Sequence, residues 1–423
     1  MQVFLDWWRR GMIAGAWLSI VFLGIGRVEF FSPDVSMSAW SISRTTFLFW
    51  LTFKLVVLAR SGWAPTGLSE LGSLKPLFWF FFAVTISLLP DFHKAGDYRY
   101  FFFGCAHALM LVDLFAAAPQ KRWLPVLLAV LPLGLVVRGL VHDPSILNLS
   151  LSHRFGYPLD HPNTAGYLFA MSIPLGVFLA TARTGWWRGV SVFSCASQIF
   201  ALVLTFSRGA WLGWTAAMLY LAVMLGKWKY LTALMTVAAA CLLVSPSVQD
   251  RLASVTRPHD DLAIRERLQR LTSALQLGMD HPILGVGYGR GRLKESLRPY
   301  LKGTILEDSP VLHTHNVYVE LFAETGSVGL FAYLWLLGHT LLRLWRASRR
   351  RDGPERLLGL GLTASWIAAI VTGFGDVPFY HHETRIFFFT LFALAHMYAA
   401  EPHHFPPAVT RLGRNITNHL MSC

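Results

Sequence analysis

The sequence predicts an all-α polytopic membrane protein with about twelve transmembrane helices and one large loop outside the membrane that contains short amphipathic helices. Two observations support this fold class. Of 423 residues, 54% are hydrophobic and only 14% are charged, whereas soluble domains carry roughly 25% charged residues. The mean hydropathy is +0.45, so the apolar side chains cannot all fit into one core and the excess must face lipid. This composition excludes an ordinary soluble enzyme.

The predicted helices are apolar stretches long enough for a hydrocarbon core of about 30 Å, which needs about 20 residues. We expect the first one to stay uncleaved, because residues 26–29 lack the small-x-small pattern of a signal-peptide cleavage site. The predicted spans are residues 11–28, 40–59, 76–89, 98–118, 123–141, 164–181, 187–206, 209–225, 230–244, 316–342, 357–374 and 385–400.

Lysine and arginine are concentrated in alternate connections between these spans, whereas residues 29–39 and 375–384 contain none. By the positive-inside rule, both termini are therefore cytoplasmic. Topology and contact with anionic membrane lipids account for most of the net charge of +13. We expect no nucleic-acid partner.

This orientation places one long connection outside, between the ninth and tenth spans. We therefore divide the chain into residues 1–245 with nine spans, the loop 246–315 that would carry catalytic elements, and residues 316–423 with three spans and a cytoplasmic tail. Long loops are usually functional. The four cysteines lie in apolar runs or at the end of the chain, which excludes a disulfide framework and a structural zinc motif.

The long loop begins with a predicted amphipathic helix over residues 262–278. At 100° per residue, Arg265 and Arg267 flank its apolar stripe, while Glu266 and Arg270 point further away. Two interpretations of the flanking arginines stay open. They contact lipid headgroups beside the docked face, or they clamp an anion.

His313 and His315 close the loop, directly before the tenth span. The positive end of a helix attracts anions and disfavours imidazolium, so a histidine there is expected to be neutral and able to accept a proton. This placement indicates a general base. Two alternatives are a metal site, in which the H-x-H pair is joined by His381 and His382 from another outer loop, and a plain interfacial histidine.

Other polar features lie at the same side of the membrane or within the spans. Glycines at alternate positions in 282–291 indicate close packing under a loop or, less commonly, a phosphate contact. Arg208 lies at the outer edge of the eighth span, where an arginine either snorkels or binds an anion. Asp113 and Arg138 lie inside spans, and we expect them to pair within the bundle.

Taken in order, these motifs resemble those of the bacterial O-antigen ligase and polymerase superfamily. The resemblance rests on Ser207-Arg208-Gly209, the arginine helix running into 282–287, and His315-Asn316 followed by Glu-Thr-Gly-Ser-Val-Gly-Leu at 324–330. It covers roughly residues 160 to 330 in motif order. The number of spans and the single large periplasmic loop extend it over the whole chain.

The arginine helix departs from the family pattern at one position. Family members often carry a tryptophan four residues after the arginine, and Leu271 stands there in this chain. The sequence therefore leaves open whether Arg265 or Arg267 is the matching residue.

The resemblance implies a metal-independent, inverting glycosyltransferase without cofactor in the inner membrane of a Gram-negative bacterium, with its active site in the periplasm. It would transfer O-antigen from undecaprenyl diphosphate to a sugar hydroxyl of lipid A-core. The implied roles are as follows: His315 is the catalytic base, Arg208, Arg265 and Arg267 bind the diphosphate, and His313, Asn316 and Asn163 contact substrate or support the site.

Three alternatives to a ligase stay open. An O-antigen polymerase uses the same donor, and a protein O-oligosaccharyltransferase is usually a longer chain, so length favours the ligase. A transporter needs polar groups at the bilayer midplane, whereas the polar residues of this chain lie at the outer rim, and no internal repeat is evident.

Overall fold

The computed structural model describes residues 2–25, 28–30, 32–61, 74–89, 97–115, 119–148, 153–159, 161–226, 228, 262–307, 313–377 and 381–400. These residues are predominantly helical, as the all-α class predicts. A short antiparallel hairpin, β1 (Val28–Phe30) and β2 (Ser32–Met37), connects the first two helices. The all-α prediction does not include this hairpin.

The helices of the first half include both long apolar segments and shorter pieces. They are α1 (Gln2–Ile25), α2 (Ala39–Ser61), α3 (Lys75–Ile86), α4 (Tyr98–Phe115), α5 (Leu124–Val130), α6 (Pro132–His142), α7 (Pro162–Ala182), α8 (Gly185–Leu204) and α9 (Arg208–Leu225). Short 3₁₀ segments cover Pro119–Trp123 and Pro144–Asn148.

The helices of the second half begin within the predicted loop. They are α10 (Leu262–Asp280), α11 (Arg290–Leu297), α12 (Val317–Arg349), α13 (Gly353–Thr372) and α14 (His382–Ala400), with a 3₁₀ segment at Arg298–Leu301. The predicted ninth span lies outside the described residues. Helices occur at the positions of all the other predicted spans.

Five segments of the described residues are long and apolar enough to cross a membrane by length and composition: Lys121–His142, Pro162–Ala182, Gly185–Leu204, Val317–Arg349 and Gly353–Thr372. The first of these contains α5 and α6, which are separated only at Leu131. Pro132 interrupts the backbone hydrogen bonds of the helix there, because proline has no amide hydrogen to donate. The number of twelve spans stays a prediction.

Helix α7 lies at the centre of the bundle, where it packs against α8, α9 and α13, and α13 packs in turn against α9 and α12. Two charged side chains within predicted spans have close polar partners. Lys54 Nζ lies 2.6 Å from Asp113 Oδ1, and the Arg138 guanidinium donates to the Tyr157 hydroxyl at 2.9 Å. Asp113 therefore pairs within the bundle, as predicted, whereas the partner of Arg138 is an exposed residue of the connection before α7.

A backbone joint connects the glycine-rich loop after α10 to α12. Helix α12 is broken at Gly326, which has φ 64° and ψ −165°. The amide of Gly287 donates to Glu324 O at 2.8 Å, and the amide of Ser327 donates to Pro282 O at 2.8 Å. A β-carbon at Gly326 would collide with the carbonyl of Ile283. Among the alternate glycines, Gly285 and Gly287 serve close packing, the commoner of the two expectations, because a β-carbon there would collide with Glu324 or Arg292.

The orientation of α10 differs from the sequence prediction. Arg270 is only 8% exposed, whereas Leu268 and Leu275 on the predicted docked stripe are 56% and 39% exposed. Small residues explain the difference, because Ala274 is fully buried and a β-carbon at Gly278 would collide with the Phe322 ring. The small-residue face permits the closest approach to α12, and the prediction that Arg270 points away is wrong.

Candidate active site

Four segments of the chain that are distant in sequence meet at one end of the bundle. They are the N-termini of α7 and α9, residues 313–316 before α12, and residues 373–377 after α13. A β-carbon at Gly209 would lie 3.0 Å from the Cα of Gly375. The amide of Val317 donates to Gly373 O at 2.9 Å. These contacts hold the polar side chains of the four segments together.

Helix capping explains the local structure of two of these segments. Pro162 occupies the first position of α7, where its missing N–H is tolerated, and His161 Nδ1 accepts the Asn163 amide at 3.1 Å. At α12, Asn316 Oδ1 accepts the amides of Tyr318 and Val319 at 3.0 and 3.1 Å. The predicted site residue Asn316 is therefore a helix cap in this structure.

Asp376 is the centre of the site and was not predicted from the sequence. The residue is 3% exposed. Its Oδ2 accepts a hydrogen bond from Asn163 Nδ2 at 2.8 Å, and its Oδ1 lies 3.5 Å from His315 Nδ1. Burial alone would raise the pKa of Asp376, but the neighbouring histidines, His315 first, hold that pKa well below its usual range. The carboxylate is therefore ionised.

His315 has a left-handed backbone, with φ 53°. Such a conformation costs a non-glycine residue about 1–3 kcal/mol and is concentrated at functional sites. The Thr314 amide and hydroxyl both donate to Glu320 Oε2 at 2.7 Å, and this fully buried carboxylate holds the turn in place. The same unusual backbone occurs at Phe206, with φ 50°, two residues before Arg208.

His313 lies against His315, with ring centroids 3.8 Å apart. Burial, followed by the charge of His315, lowers the pKa of His313 to about 3, so His313 is neutral at ordinary pH. The Nδ1 atoms of both rings are buried. That of His313 has no hydrogen-bond partner among the described residues, and that of His315 faces the Asp376 carboxylate at 3.5 Å, an ion-pair distance that does not meet hydrogen-bond geometry.

The structure distinguishes between the two candidate arginines of α10. Arg267 is half-buried, and its positive charge acts on His161 and on Tyr167, whose hydroxyl donates to Thr372 O. Arg265 is exposed. Arg208 is half-buried at the first position of α9. Arg267 thus lies within electrostatic range of His161, Arg208 lies at the end of α9 that meets the other three segments, and Arg265 lies on the exposed side of its helix.

Two further arginines belong to the site and were missed by sequence reasoning. Arg154 donates to Thr205 O at 2.9 Å and to Asn163 Oδ1 at 3.2 Å. Arg270 donates to Glu266 at 3.1 Å, and its charge acts on His313. Arg154 had a sequence signal, because it lies in a short segment rich in charged residues before the sixth span. Arg270 had no such signal, because helical spacing predicted that its side chain points away from the apolar stripe of α10.

Two imidazoles and one carboxylate could hold a metal ion. Candidate ligand atoms of His313, His315 and Asp376 all lie within 4.8 Å of one another, and this donor set suits zinc. Of the partners expected from the sequence, His381 stacks near His161 at 6.3 Å between centroids. The carboxylate of Asp376 thus takes the place that the metal alternative gave to His381 and His382.

Residues 191–334, about a third of the chain, match the model of a family described as O-antigen ligase. The matching region contains Arg208, the arginine helix α10 and His315. No curated protein matches the chain significantly. Members of this family are ligases and polymerases of glycosyltransferase type that act on lipid-linked oligosaccharides at membranes. Over these residues the chain is similar to the O-antigen ligase family.

Proposed function

We propose that the protein is an O-antigen ligase that moves O-antigen polysaccharide from undecaprenyl diphosphate to a sugar hydroxyl of lipid A-core on the periplasmic face of the inner membrane. The observation that carries this proposal is the pairing of His315 with the buried Asp376 beside arginines at the bundle end. This arrangement offers a base and a site for a multiply charged leaving group.

His315 acts as the general base. With Nδ1 toward Asp376, Nε2 is left to take the proton of the acceptor hydroxyl. The carboxylate then stabilises the imidazolium and fixes the ring, in the way that a buried aspartate supports the histidine of a catalytic triad. A positioned base of this kind typically contributes about 10²- to 10⁴-fold in rate.

Arginines bind the leaving diphosphate. A guanidinium group makes bidentate, permanently charged hydrogen bonds to phosphate oxygens. Arg208 also lies at the N-terminus of α9, where the helix dipole favours an anion. Arg267 approaches from α10, and Arg154 and Arg270 add positive charge. Arg265 was a third candidate and contributes less because it is exposed.

The reaction is a direct displacement at the anomeric carbon. The acceptor oxygen forms the new bond to that carbon as the bond to the diphosphate oxygen breaks, and the acceptor proton passes to His315. Attack opposite the leaving group inverts the configuration and needs no second carboxylate of the glycosidase type. Undecaprenyl diphosphate leaves with the bonding electrons.

The proposal includes the topology derived from the sequence. Both termini are cytoplasmic, residues 246–315 form the periplasmic loop between the first nine spans and the last three, and the site opens to the periplasm. Neither metal nor cofactor is required in this mechanism. His313 and Asn163 support His315 and Asp376, respectively, while Asn316 caps α12.

The deciding experiment follows glycan transfer from undecaprenyl diphosphate to purified lipid A-core in detergent, with a chelator present throughout. We expect transfer by the wild-type protein and loss of transfer in His315→Ala. Loss of wild-type transfer on chelation, with recovery on adding zinc, would instead assign His313, His315 and Asp376 to a metal. Extension of the lipid-linked glycan without transfer to lipid A-core would make the protein a polymerase.

A further inference from the structure

Helix α10 has an apolar face that the rest of the protein leaves uncovered. Leu268, Leu275 and Met279 are 56%, 39% and 64% exposed, and their spacing places them on one side of the helix. Ile283, just after the helix, is 65% exposed. Single exposed apolar side chains are ordinary, but a contiguous row of large ones indicates an interaction surface.

This apolar face of α10 continues into the outward surface of α12. Ile283 O accepts the amide of Val328 at 3.3 Å, so the row on α10 meets α12 just beyond its break. From there α12 exposes further large apolar side chains: Val328 at 38%, Phe331 at 71%, Leu334 at 46% and Trp335 at 38%. Because α12 is long and apolar enough to cross a membrane, this outward surface faces lipid.

The position of the break in α12 sets the depth of the row at its Ile283 end. From Gly326 to the end of α12 at Arg349, a rise of 1.5 Å per residue gives about 35 Å, close to the thickness of the hydrocarbon core and one interface. Basic residues, including Arg346 and Arg349, lie in the last turn and suit the opposite interface. Gly326, and with it Ile283, therefore lies near the membrane boundary on the side of α10.

We infer that α10 is an interfacial helix whose apolar face, defined by Leu268, Leu275, Met279 and Ile283, is embedded in the outer part of the adjacent lipid leaflet. Helices that lie in this plane bury an apolar face in the headgroup region and carry cationic side chains beside it. The exposed Arg265 lies on this side of α10 and suits an anionic headgroup.

A consequence follows for the opposite face of α10, and this step rests on the proposed function. The buried Arg270 and the half-buried Arg267 would be held at headgroup depth, where the diphosphate of a membrane-anchored donor must lie. The lipid contact itself does not depend on glycan transfer. It can therefore be tested in an inactive variant.

The test uses nitroxide spin labels on the protein in vesicles of phosphatidylethanolamine and phosphatidylglycerol. Leu275→Cys and Met279→Cys are labelled one at a time, with Cys241 and Cys423 replaced by serine and the buried Cys105 and Cys195 retained. Lys302→Cys, at an exposed position between α11 and α12, is the matched control. Accessibility to oxygen and to a water-soluble nickel complex reports the depth of each label.

We expect labels at 275 and 279 to be several-fold more accessible to oxygen and less accessible to nickel than the label at 302. Nickel accessibility equal to that of the control would overturn the inference. Shielding from both reagents would also overturn it, because a protein partner or a second copy would then cover the face. The same pattern in the His315→Ala background would show that the lipid contact stands even if the proposed transferase activity fails.

Discussion

The contact between His315 and Asp376 has a specific chemical consequence at the residue scale. Asp376→Asn keeps the shape of the side chain but removes the charge that stabilises imidazolium. We expect transfer to fall on the order of 10²-fold and the acid limb of its pH profile to move to lower pH. Initial rates over a pH series would measure both effects, with Asp280→Asn as the exposed control. An unshifted profile would contradict the assigned role.

Arg265 and Arg267 of α10 provide a matched pair of variants. Arg267→Lys retains the charge but loses the planar fork that binds phosphate oxygens in pairs, and a hydrogen bond to a charged group contributes about 1.5–3 kcal/mol. We therefore expect transfer to fall by about 10- to 100-fold in Arg267→Lys and to change little in Arg265→Lys. Equal losses in the two variants, measured at the same level of folded protein, would contradict the structural distinction between them.

Residue types at helix boundaries were informative in the sequence. His315 could be proposed because it precedes the N-terminus of a predicted span, and Arg208 because it stands at the outer edge of one, where an arginine either snorkels or binds an anion. Asp376 was missed although its connection carries no lysine or arginine, because its significance comes from Asn163 and His315. Those partners lie far away in the sequence, and only the packed fold brings them together.

At the element scale, the joint between the glycine-rich loop and α12 is expected to contribute to the stability of the fold. Gly326→Ala places a β-carbon against the Ile283 carbonyl at φ 64°, and left-handed strain alone costs about 1–3 kcal/mol. We expect a lower melting temperature in detergent and less folded protein. Gly338→Ala, in the same helix with open space around it, is the control. Equal melting temperatures for the two variants would mean that the joint is not rigid.

The existence of helix α10 was predictable from the sequence, but the face by which it packs was not. Helical periodicity and the flanking polar residues indicate a helix over 262–278 whatever it packs against. The docked face depends on how closely α12 can approach, and Ala274 and Gly278 decide this. Counting large apolar residues therefore selected the face that the structure leaves exposed.

At the scale of the whole molecule, local hydropathy places the helices and long-range packing assembles the site. Five described segments at predicted spans are long and apolar enough to cross a membrane, so the membrane requirement alone reveals them. The site instead joins residues 161–163, 208, 313–316 and 376, which come together only when α7, α9, α12 and α13 pack. The order of the motifs could identify the family, but it could not supply the contacts.

The burial of His313 makes the stability of the whole molecule sensitive to acid. Its pKa is lowered from an ordinary 6.5 to about 3. Between these values the unfolded chain binds a proton that the folded protein excludes, so stability is present above the ordinary value and is lost as pH falls. The depressed pKa of Asp376 has the same sign, but its effect begins only below the ordinary 3.8. The range from about pH 7 down to about 4.5 lies above the ordinary pKa of Asp376, and within it the difference between the wild type and a variant without His313 reports the His313 contribution. We expect the melting temperature in detergent to decrease over this range, and to decrease less in His313→Gln than in the wild-type protein.

His281→Gln, at an exposed position, should follow the wild type. If all three proteins lose the same number of degrees, protonation of His313 does not limit the acid stability of the fold.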